Sequence, residues 1–371
     1  MSSNASRGKL LVIQKSGATF RTRKEAPAMP WHRRRDLIDH STVGAYHCFS
    51  RCVRRAFLCG EDVSGLDLGH RRDWVRERLE ALASVFAIDI CDHAVMDNHL
   101  HVILRNRPDL VPRWSDEEVA RRWLRLSRRS LELRLEPRPK RVRKLAKDAE
   151  RIKELRFRLS NISWFMLMLN EPIARTANSE DEVSGHFFGE RFGSVRLEDL
   201  EQLLLCSLYV DLNPVRAGLA TTPEDSKYTG ACDRIQDRQE QAALEVAARE
   251  RGGPGAFNLK ELLTRKYAGW MAPLWEGGDG YDGVAAGRRA SNKGYLPLQL
   301  DKYLQLLDEV GRELAPGKSG AIPEELPPIL ERLGLDRVRW GEAVLKAARC
   351  FDRIAQKAEA LRLEARRHGR P

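Results

Sequence analysis

Long apolar runs are missing from this chain of 371 residues. None of them approaches the roughly 20 residues that cross a bilayer as a helix, so we expect no membrane partner. The first residues also lack the apolar block and the small-residue cleavage site of a secretory signal peptide. We therefore expect a cytoplasmic protein.

Paired cysteines are missing as well. The seven cysteines are an odd number and include no C-x-x-C pair, which argues against a disulfide framework and for reduced thiols. Cys48, Cys52 and Cys59 lie close together in the sequence and could be read as a zinc cluster. Their spacing fits no common zinc pattern, and we favour roles as small buried side chains.

The chain has no surplus of acidic residues. Lys and Arg number 64 against 53 Asp and Glu, which gives a net charge of +11 and a pI near 9.4. This balance favours a polyanionic partner such as nucleic acid. A hydrophobic content of 42% is enough for one substantial core or two smaller ones.

Most of the positive charge is concentrated in one stretch. Residues 113–158 hold 17 Lys and Arg against eight Asp and Glu, so they supply +9 of the +11. Their leucines and isoleucines have a spacing that predicts long amphipathic helices, broken at Pro137 and Pro139. We interpret the stretch as a DNA-contacting insertion, and a solvated helical hairpin is the alternative.

The most informative segment is AVMDNHLHVIL (Ala94–Leu104). A β-strand repeats every two residues, so His99 and His101 point to the same face while Leu100 points to the other. Two imidazoles side by side on a strand can offer two ligands to one metal ion. An ordinary half-buried strand position is the alternative.

A second informative segment is EQLLLCSLYVDLNPVRAGLA (Glu201–Ala220), which opens as a helix with a leucine stripe. Tyr209 and Asn213 are four residues apart and so share a helical face. A phenol and an amide presented together suit a nucleophile beside a metal ligand. Two alternatives remain: Tyr209 could pack with its hydroxyl hydrogen-bonded, and Asn213 before Pro214 could be an N-cap.

The order of the elements predicts an α+β fold. Strand and helix patterns cover Val43–Val53 (strand), His70–Phe86 (helix), Ile88–Val95 and His99–Leu104 (strands), Ile162–Leu169 (helix), a short strand near Phe187–Val195, and then the tyrosine helix. This β-α-β-β-α-β order suits a ferredoxin-like antiparallel sheet with helices on one face.

Four pieces in one order resemble the single-tyrosine HUH transposases, in particular the REP-associated tyrosine transposases. They are AYHCFSRCVRRAF (Ala45–Phe57), VMDNHLHVILR (Val95–Arg105), GHFFGERFGSVRL (Gly185–Leu197) and YVDLNPVRAGLA (Tyr209–Ala220). The His-hydrophobic-His triplet alone is a weak pattern, whereas the tyrosine followed by NPVRAGL is specific. The resemblance covers roughly residues 43–235, interrupted by the insertion. The family commonly has a FWEGRF-like motif where this chain has FFGERF, so Arg191 is retained but a role for the tryptophan does not carry over.

The resemblance implies the HUH endonuclease fold and a reaction on single-stranded DNA that forms hairpins. His99 and His101 would hold a divalent cation, Mg²⁺ or Mn²⁺, with Asn213 as the third ligand. Tyr209 would attack phosphorus and leave a 5′-phosphotyrosyl enzyme and a free 3′-hydroxyl, in DNA transposition or repeat mobilisation. Known relatives are monomers or homodimers, so the oligomeric state stays open.

Charge, periodicity and the resemblance together suggest three regions. A basic N-terminal arm occupies residues 1–40, and the catalytic domain occupies 41–222 with the charged helical insertion at 106–160. A mainly helical C-terminal extension occupies 223–371, with a flexible glycine-rich link at Gly277–Gly294 and helical patterns over Leu298–Leu307 and Glu342–Arg366.

Arginines close to the matching segments are candidates for binding phosphates, because the guanidinium fork suits bidentate contacts. They are Arg51, Arg54, Arg55, Arg191 and Arg216. Phe187, Phe188 and Phe192 could stack on an unpaired base, although aromatic residues beside a sheet are more often part of a core.

The leading hypothesis is therefore a transposase-like enzyme that cleaves and rejoins single-stranded DNA. The alternative from another class is a catalytically inactive DNA-binding protein that retains the HUH fold. A third hypothesis is a nucleic-acid hydrolase in which water, and not Tyr209, attacks the phosphate.

Overall fold

The computed structural model describes residues 38–53, 59–60, 65, 67–250, 267–274, 287–315 and 317–335, with the backbone alone for 244–250. The basic arm predicted for residues 1–40 lies outside the described residues except for 38–40. The helix predicted over Glu342–Arg366, most of the glycine-rich link, and both Arg54 and Arg55 also lie outside them.

Four strands form one antiparallel sheet: β1 (Gly44–Arg51), β2 (Ile88–Val95), β3 (His99–Asn106) and β4 (Gly193–Leu197). Their spatial order is β2-β3-β1-β4, and every neighbouring pair is antiparallel. Among the described elements, one helix separates β1 from β2 and several precede β4, so these elements follow the β-α-β-β-α-β order. The predicted α+β class with an antiparallel sheet is confirmed.

The described helices are α1 (Arg71–Ala83), α2 (Asp116–Arg125), α3 (Pro139–Ala146), α4 (Ala149–Leu159), α5 (Ile162–Glu180), α6 (Leu200–Asp211), α7 (Asn213–Arg216), α8 (Gly230–Glu250), α9 (Leu300–Arg312) and α10 (Ile329–Arg332). Four of them begin at a polar side chain that accepts a backbone N–H from the first turn, as N-caps do. These caps are Ser115, Asp148, Asn161 and Asp199. Within the described residues, no helix is both long and apolar enough to cross a membrane.

The last strand begins later than its sequence pattern predicts. Phe188 forms an isolated bridge with Cys52, and the Gly189 N–H donates to the Arg51 carbonyl at 2.9 Å, but regular pairing starts only at Gly193 opposite Phe49. Three residues, 190–192, therefore oppose the single residue 50 of β1, and the ladder is interrupted as in a bulge. Gly193 lies against the Phe49 ring so closely that a Cβ would collide with it.

Helices cover both faces of the sheet, so the prediction of helices on one face only was wrong, and each face has its own apolar core. Because strand side chains alternate, Tyr46 and Cys48 point into a core shared with α1 and α5. Ile103 points the opposite way, into a second core made with α6 and α9. The second core includes Tyr303 and Leu304, so α9 of the predicted C-terminal extension packs on the same face as the tyrosine helix.

The charged insertion folds as three short helices instead of the long ones we predicted. α2, α3 and α4 contain 10, 8 and 11 residues. Pro137 disfavours helix in the residue before it, and Pro139 occupies the first turn of α3, where its missing N–H is tolerated. Val142 and Ile152 are buried in the α1 and α5 core, so the insertion is packed onto the domain.

A segment after α9 crosses over α7. The Gly320 N–H donates to the Arg216 carbonyl at 3.4 Å, and the Ile322 N–H donates to the Gly311 carbonyl at 2.9 Å. A Cβ at Gly320 would collide with the Val215 carbonyl, so glycine is needed at this close approach. The contacts hold residues 317–322 beside the end of the tyrosine helix.

Candidate active site

His99 and His101 lie on one face of β3, as strand alternation predicts. Their ring centroids are 4.8 Å apart and the rings are perpendicular. His99 is half-buried and His101 is 7% exposed. The Nδ1 of His99 lies 2.6 Å from the Oδ1 of Asn98. Since an amide oxygen only accepts, Nδ1 of His99 carries the proton and its Nε2 keeps a lone pair.

A third imidazole, which was not predicted, completes the cluster. His47 lies on β1, whose register pairs it with Ile103, and its Nε2 lies 2.9 Å from Nδ1 of His101. The two rings are stacked, with centroids 5.0 Å apart and an angle of 27°. The signal in the sequence was the two-residue alternation of His47, Phe49 and Arg51, which share the face of β1 that adjoins the two histidines.

Burial keeps these imidazoles neutral. Loss of solvent lowers the pKa of His47 to about 4. Burial, together with the positive charges of Arg51 and Lys318, lowers the pKa of His99 to about 4. Burial is also the largest cause that lowers the pKa of His101 to about 2, followed by the neighbouring His47 and His99. At neutral pH the cluster therefore offers nitrogen lone pairs, which metal binding requires.

One of those lone pairs is unused. The Nε2 of His101 is buried and has no hydrogen-bond partner among the described residues. A buried polar atom without a partner costs about 1–3 kcal/mol, so a native site normally gives it an explanation, such as an ion. With Nδ1 of the same ring engaged by His47, Nε2 is the atom left to bind a ligand.

Tyr209 of α6 lies against this cluster. Its ring centroid is 5.7 Å from that of His101 and 6.3 Å from that of His47, and both contacts are edge-on. The side chain is 36% exposed, so the phenol is open to solvent while its ring touches the imidazoles. The structure thus brings together the strand and the helix that the sequence analysis selected independently.

Asn213 is buried one turn after Tyr209. Its Nδ2 donates to the Tyr209 carbonyl at 3.1 Å. The side chain therefore hydrogen-bonds a carbonyl in the last turn of α6. It does not act as an N-cap, since the N-cap residue of α7 is Leu212. Within the described residues, no hydrogen bond joins Asn213 to His99 or His101, and the Asn213 amide is engaged by the Tyr209 carbonyl.

The described part of the chain contains no group of three or more His, Cys, Asp or Glu side chains arranged to hold a metal. A metal site here would need an amide oxygen or DNA oxygens beside the two imidazoles. Cys48, Cys52 and Cys59 are buried. Burial raises the pKa of Cys52 to about 12, which disfavours the thiolate that zinc binds.

Two cationic side chains, Arg51 and Lys318, come close enough to the cluster to lower the pKa of its histidines. Arg51 is exposed on the same face as the histidines, with its Cα paired to that of His99. Arg216 follows Asn213 in α7, and its Nε is buried without a hydrogen-bond partner in the described structure. Lys318, which we did not predict, is exposed on the segment that crosses α7, and its charge acts on His99 and His101. No pattern in the sequence marks Lys318.

Arg191 occupies a different place from the other candidates. It is exposed and lines a groove of about 760 Å³ between residues 185–192 and α5, on the side of the sheet opposite to the histidines. Phe187 and Phe192 are mainly buried in the α1 and α5 core, which is the alternative role given to them above, and only Phe188 is half-exposed to the groove.

Comparisons with known proteins find little at the sequence level. No protein-family model matches the chain, and no curated protein matches it. A solved structure of a REP-associated tyrosine transposase bound to a REP hairpin is similar over 53% of this chain and 81% of the other, at 12% identity and a TM-score of 0.28. So low a score does not establish a common fold.

Proposed function

We propose that this protein is a metal-dependent enzyme that cleaves and rejoins single-stranded DNA through a 5′-phosphotyrosine at Tyr209, as the resemblance to HUH transposases implies. The observation that carries the proposal is the contact of the Tyr209 ring with His101, whose buried Nε2 has no hydrogen-bond partner in the part of the chain that the structure describes. A solvent-accessible phenol beside an unused imidazole lone pair suits a nucleophile next to a metal site.

The residues present fit a divalent cation at this place. His99 and His101 each have one ring nitrogen engaged by a neighbour and Nε2 left as a donor. A cation bound there would polarise the scissile phosphate and stabilise the charge on its oxygens. Imidazole ligands favour Mn²⁺ over Mg²⁺, and the Asn213 amide is the proposed third ligand after its side chain leaves the Tyr209 carbonyl.

The proposed reaction transfers a phosphate of the DNA to Tyr209. The Oη of Tyr209 forms a bond to phosphorus as the bond from phosphorus to the upstream 3′-oxygen breaks. The phenol loses its proton, and the 3′-oxygen gains one. The phosphotyrosine conserves the energy of the broken phosphodiester, so a second 3′-hydroxyl can rejoin it without ATP. Arg51, Arg216 and Lys318 supply positive charge for the phosphates on either side.

A covalent adduct tests the proposal directly. The purified full-length protein, incubated with Mn²⁺ and a 3′-labelled oligonucleotide containing a hairpin, is expected to give a labelled band that survives SDS. The 3′-label is needed because the phosphotyrosine holds the fragment downstream of the cut. Chelation with EDTA is expected to remove the band, and Mn²⁺ in excess of the chelator is expected to restore it.

Three outcomes would contradict all or part of the proposal. A hairpin that binds but is neither cut nor attached under any divalent cation would favour the inactive DNA-binding protein. Cutting without an adduct would favour the hydrolase, in which water attacks the phosphate. An adduct that forms equally well in EDTA would leave tyrosine chemistry in place but remove the metal from the mechanism.

His47 is proposed to hold His101 in the tautomer that binds the cation. If Nδ1–H of His101 donates to Nε2 of His47, Nε2 of His101 keeps its lone pair. We expect His47→Leu to weaken Mn²⁺ binding by about 10–100-fold, the usual effect of losing such a partner. His47→Gln, whose amide oxygen can accept the same proton, should stay within a few-fold of wild type.

Electron paramagnetic resonance of free Mn²⁺ measures this affinity without turnover, and nitrogen chemical shifts of His101 report its tautomer. Equal losses in the Leu and Gln variants, with an unchanged His101 tautomer, would reduce His47 to a packing role.

A further inference from the structure

Most cations of the charged insertion fall into two groups. Those of α2 and α4 are largely neutralised by acids on the same helices or on the neighbouring one. Arg121 and Arg122 pair with Glu118, Arg151 and Arg158 pair with Glu154, and Arg156 pairs with Asp116. Such side chains are already held by a carboxylate, so a DNA phosphate would have to compete with that partner.

The second group surrounds α3, and its members are all exposed without an ion-pair partner in the described part of the chain. We call it the α3 basic surface, and it consists of Arg134, Arg138, Lys140, Arg141, Arg143, Lys144 and Lys147. Glu136, the one acid within residues 134–147, pairs with Arg121 at 3.1 Å. The nearby Asp148 accepts the Arg151 N–H as the cap of α4.

The packing of α3 fixes this surface. Val142 is buried in the α1 and α5 core, and Leu145 and Ala146 are half-buried beside it. These positions are three and four residues apart, so they form one inward stripe. Lys140, Arg141, Arg143 and Lys144 are exposed around the rest of the helix. The cations are therefore presented on a helix that is anchored, not on a loose tail.

The charge density of α3 matches that of one strand of a nucleic-acid duplex. An α-helix of eight residues is about 12 Å long, and each strand of duplex DNA carries one negative charge per about 3.4 Å of the helix axis. One strand therefore carries about three to four phosphates over that length, against the four cations of α3 itself, and the other three cations of the surface flank the helix. Single-strand binding relies on aromatic side chains for base stacking, and residues 134–147 contain none.

We propose that the α3 basic surface binds the phosphate backbone of duplex DNA, namely the stem of the hairpin whose single strand is cut. The inference rests on the proposed function for its substrate, but it concerns a surface that the catalytic groups do not include. It implies that the stem is held by backbone contacts that carry no base specificity. Leu135, 91% exposed, is a lone apolar side chain at its edge.

Salt dependence of binding tests this proposal. The variant Arg141→Gln, Arg143→Gln, Lys144→Gln removes three charges and keeps good helix formers in α3. The matched control Arg129→Gln, Lys227→Gln, Lys293→Gln removes three exposed charges outside the surface, none of which has an ion-pair partner in the described structure. Both are measured as full-length proteins on a hairpin with a long stem and on a single strand of equal length that cannot pair.

For the α3 variant we expect the affinity for the hairpin to fall at least tenfold. The slope of log K against log salt should fall by about two to three, since each duplex phosphate contact contributes about 0.9. Affinity for the unpaired strand should stay within threefold. The control variant should stay within threefold on both probes. A charge-keeping variant, Arg141→Lys, Arg143→Lys, should retain the wild-type slope, and it keeps the test valid if the triple variant fails to fold.

Equal losses in the α3 and control variants would overturn the proposal, because they would show a general charge effect. An unchanged salt slope in the α3 variant would also overturn the proposal. So would an α3 variant that loses binding to phosphatidylserine vesicles but still binds the hairpin as the wild type does. The adduct assay separates the two proposals. If hairpin binding depends on the α3 basic surface but no adduct forms, this inference stands and the proposed function is wrong. If the adduct forms but hairpin binding does not depend on that surface, the proposed function stands and this inference is wrong.

Discussion

Tyr209→Phe is expected to lower the yield of the SDS-stable adduct by at least about 10³-fold, the scale on which removal of a catalytic nucleophile acts. The variant keeps the ring that contacts His101 and His47 and loses only the oxygen that would attack phosphorus. Because the side chain is 36% exposed, the hydroxyl is not locked in the core. Affinity for the hairpin should therefore stay within a few-fold.

The adduct is quantified with the 3′-labelled hairpin and Mn²⁺, and DNA affinity is measured separately by fluorescence anisotropy. Tyr228→Phe is the matched control, since it removes a hydroxyl that bonds Asp73 at 2.9 Å, outside the imidazole cluster. It should give the wild-type adduct. Cutting that persists in Tyr209→Phe would assign the attack to water. An adduct that persists would assign the nucleophile to another residue.

Local periodicity explains why part of the site could be predicted. The alternation of a strand determines that His99 and His101 share a face, whatever the rest of the chain does. The helical repeat likewise relates Tyr209 to the leucines that bury α6. Both statements need only a few consecutive residues. The meeting of the two segments could be expected only from the resemblance, because no local rule places a helix over a chosen strand.

Contacts between segments that are far apart in the sequence explain which residues of the site were not predicted correctly. His47 reaches His101 through the β1–β3 register, across 54 residues of sequence. A shift of one residue in that register would turn His47 to the other face. Lys318 comes close only because Gly320 lets its segment lie on α7. Arg191 was grouped with the catalytic arginines by its motif, but the interruption of pairing before Gly193 separates it from β1.

The ion pairs of the charged insertion could not be predicted from its sequence either. Counting residues predicted its positive excess, but the count treats every Arg and Lys alike. Glu118 and Glu154 neutralise particular arginines through i,i+3 and i,i+4 contacts. Which cations remain unpaired depends on where α2, α3 and α4 begin and end. Those boundaries follow from prolines and caps that periodicity alone did not place.

A buried polar network joins the tyrosine helix to the elements around it. Tyr303 Oη of α9 donates to Asp211 Oδ2 of α6 at 2.6 Å, and the Ala231 N–H of α8 donates to Asp211 Oδ1 at 2.8 Å. Arg234 of α8 lies 3.3 Å from Asp92 of β2. All of these side chains are nearly inaccessible to solvent. Burial raises the pKa of Asp92 and of Asp211, and the mutual repulsion of the two carboxyls adds to the shift of Asp92.

Arg234→Met is expected to lower the free energy of unfolding by about 3–5 kcal/mol, because removing one partner of a buried ion pair leaves the other uncompensated. Arg175→Met is the matched control on α5. Arg175 pairs with Glu171 at 2.8 Å but is largely exposed, and such i,i+4 pairs contribute only about 0.3–0.5 kcal/mol.

Guanidinium unfolding curves give both values. Adding Asp92→Leu to Arg234→Met should recover part of the loss, since the stranded carboxyl is then gone. If Arg234→Met were no more destabilising than Arg175→Met, the network would not be what fixes α6 against β2. The position of Tyr209 over the imidazoles would then depend on the apolar packing of α6 and α9 alone.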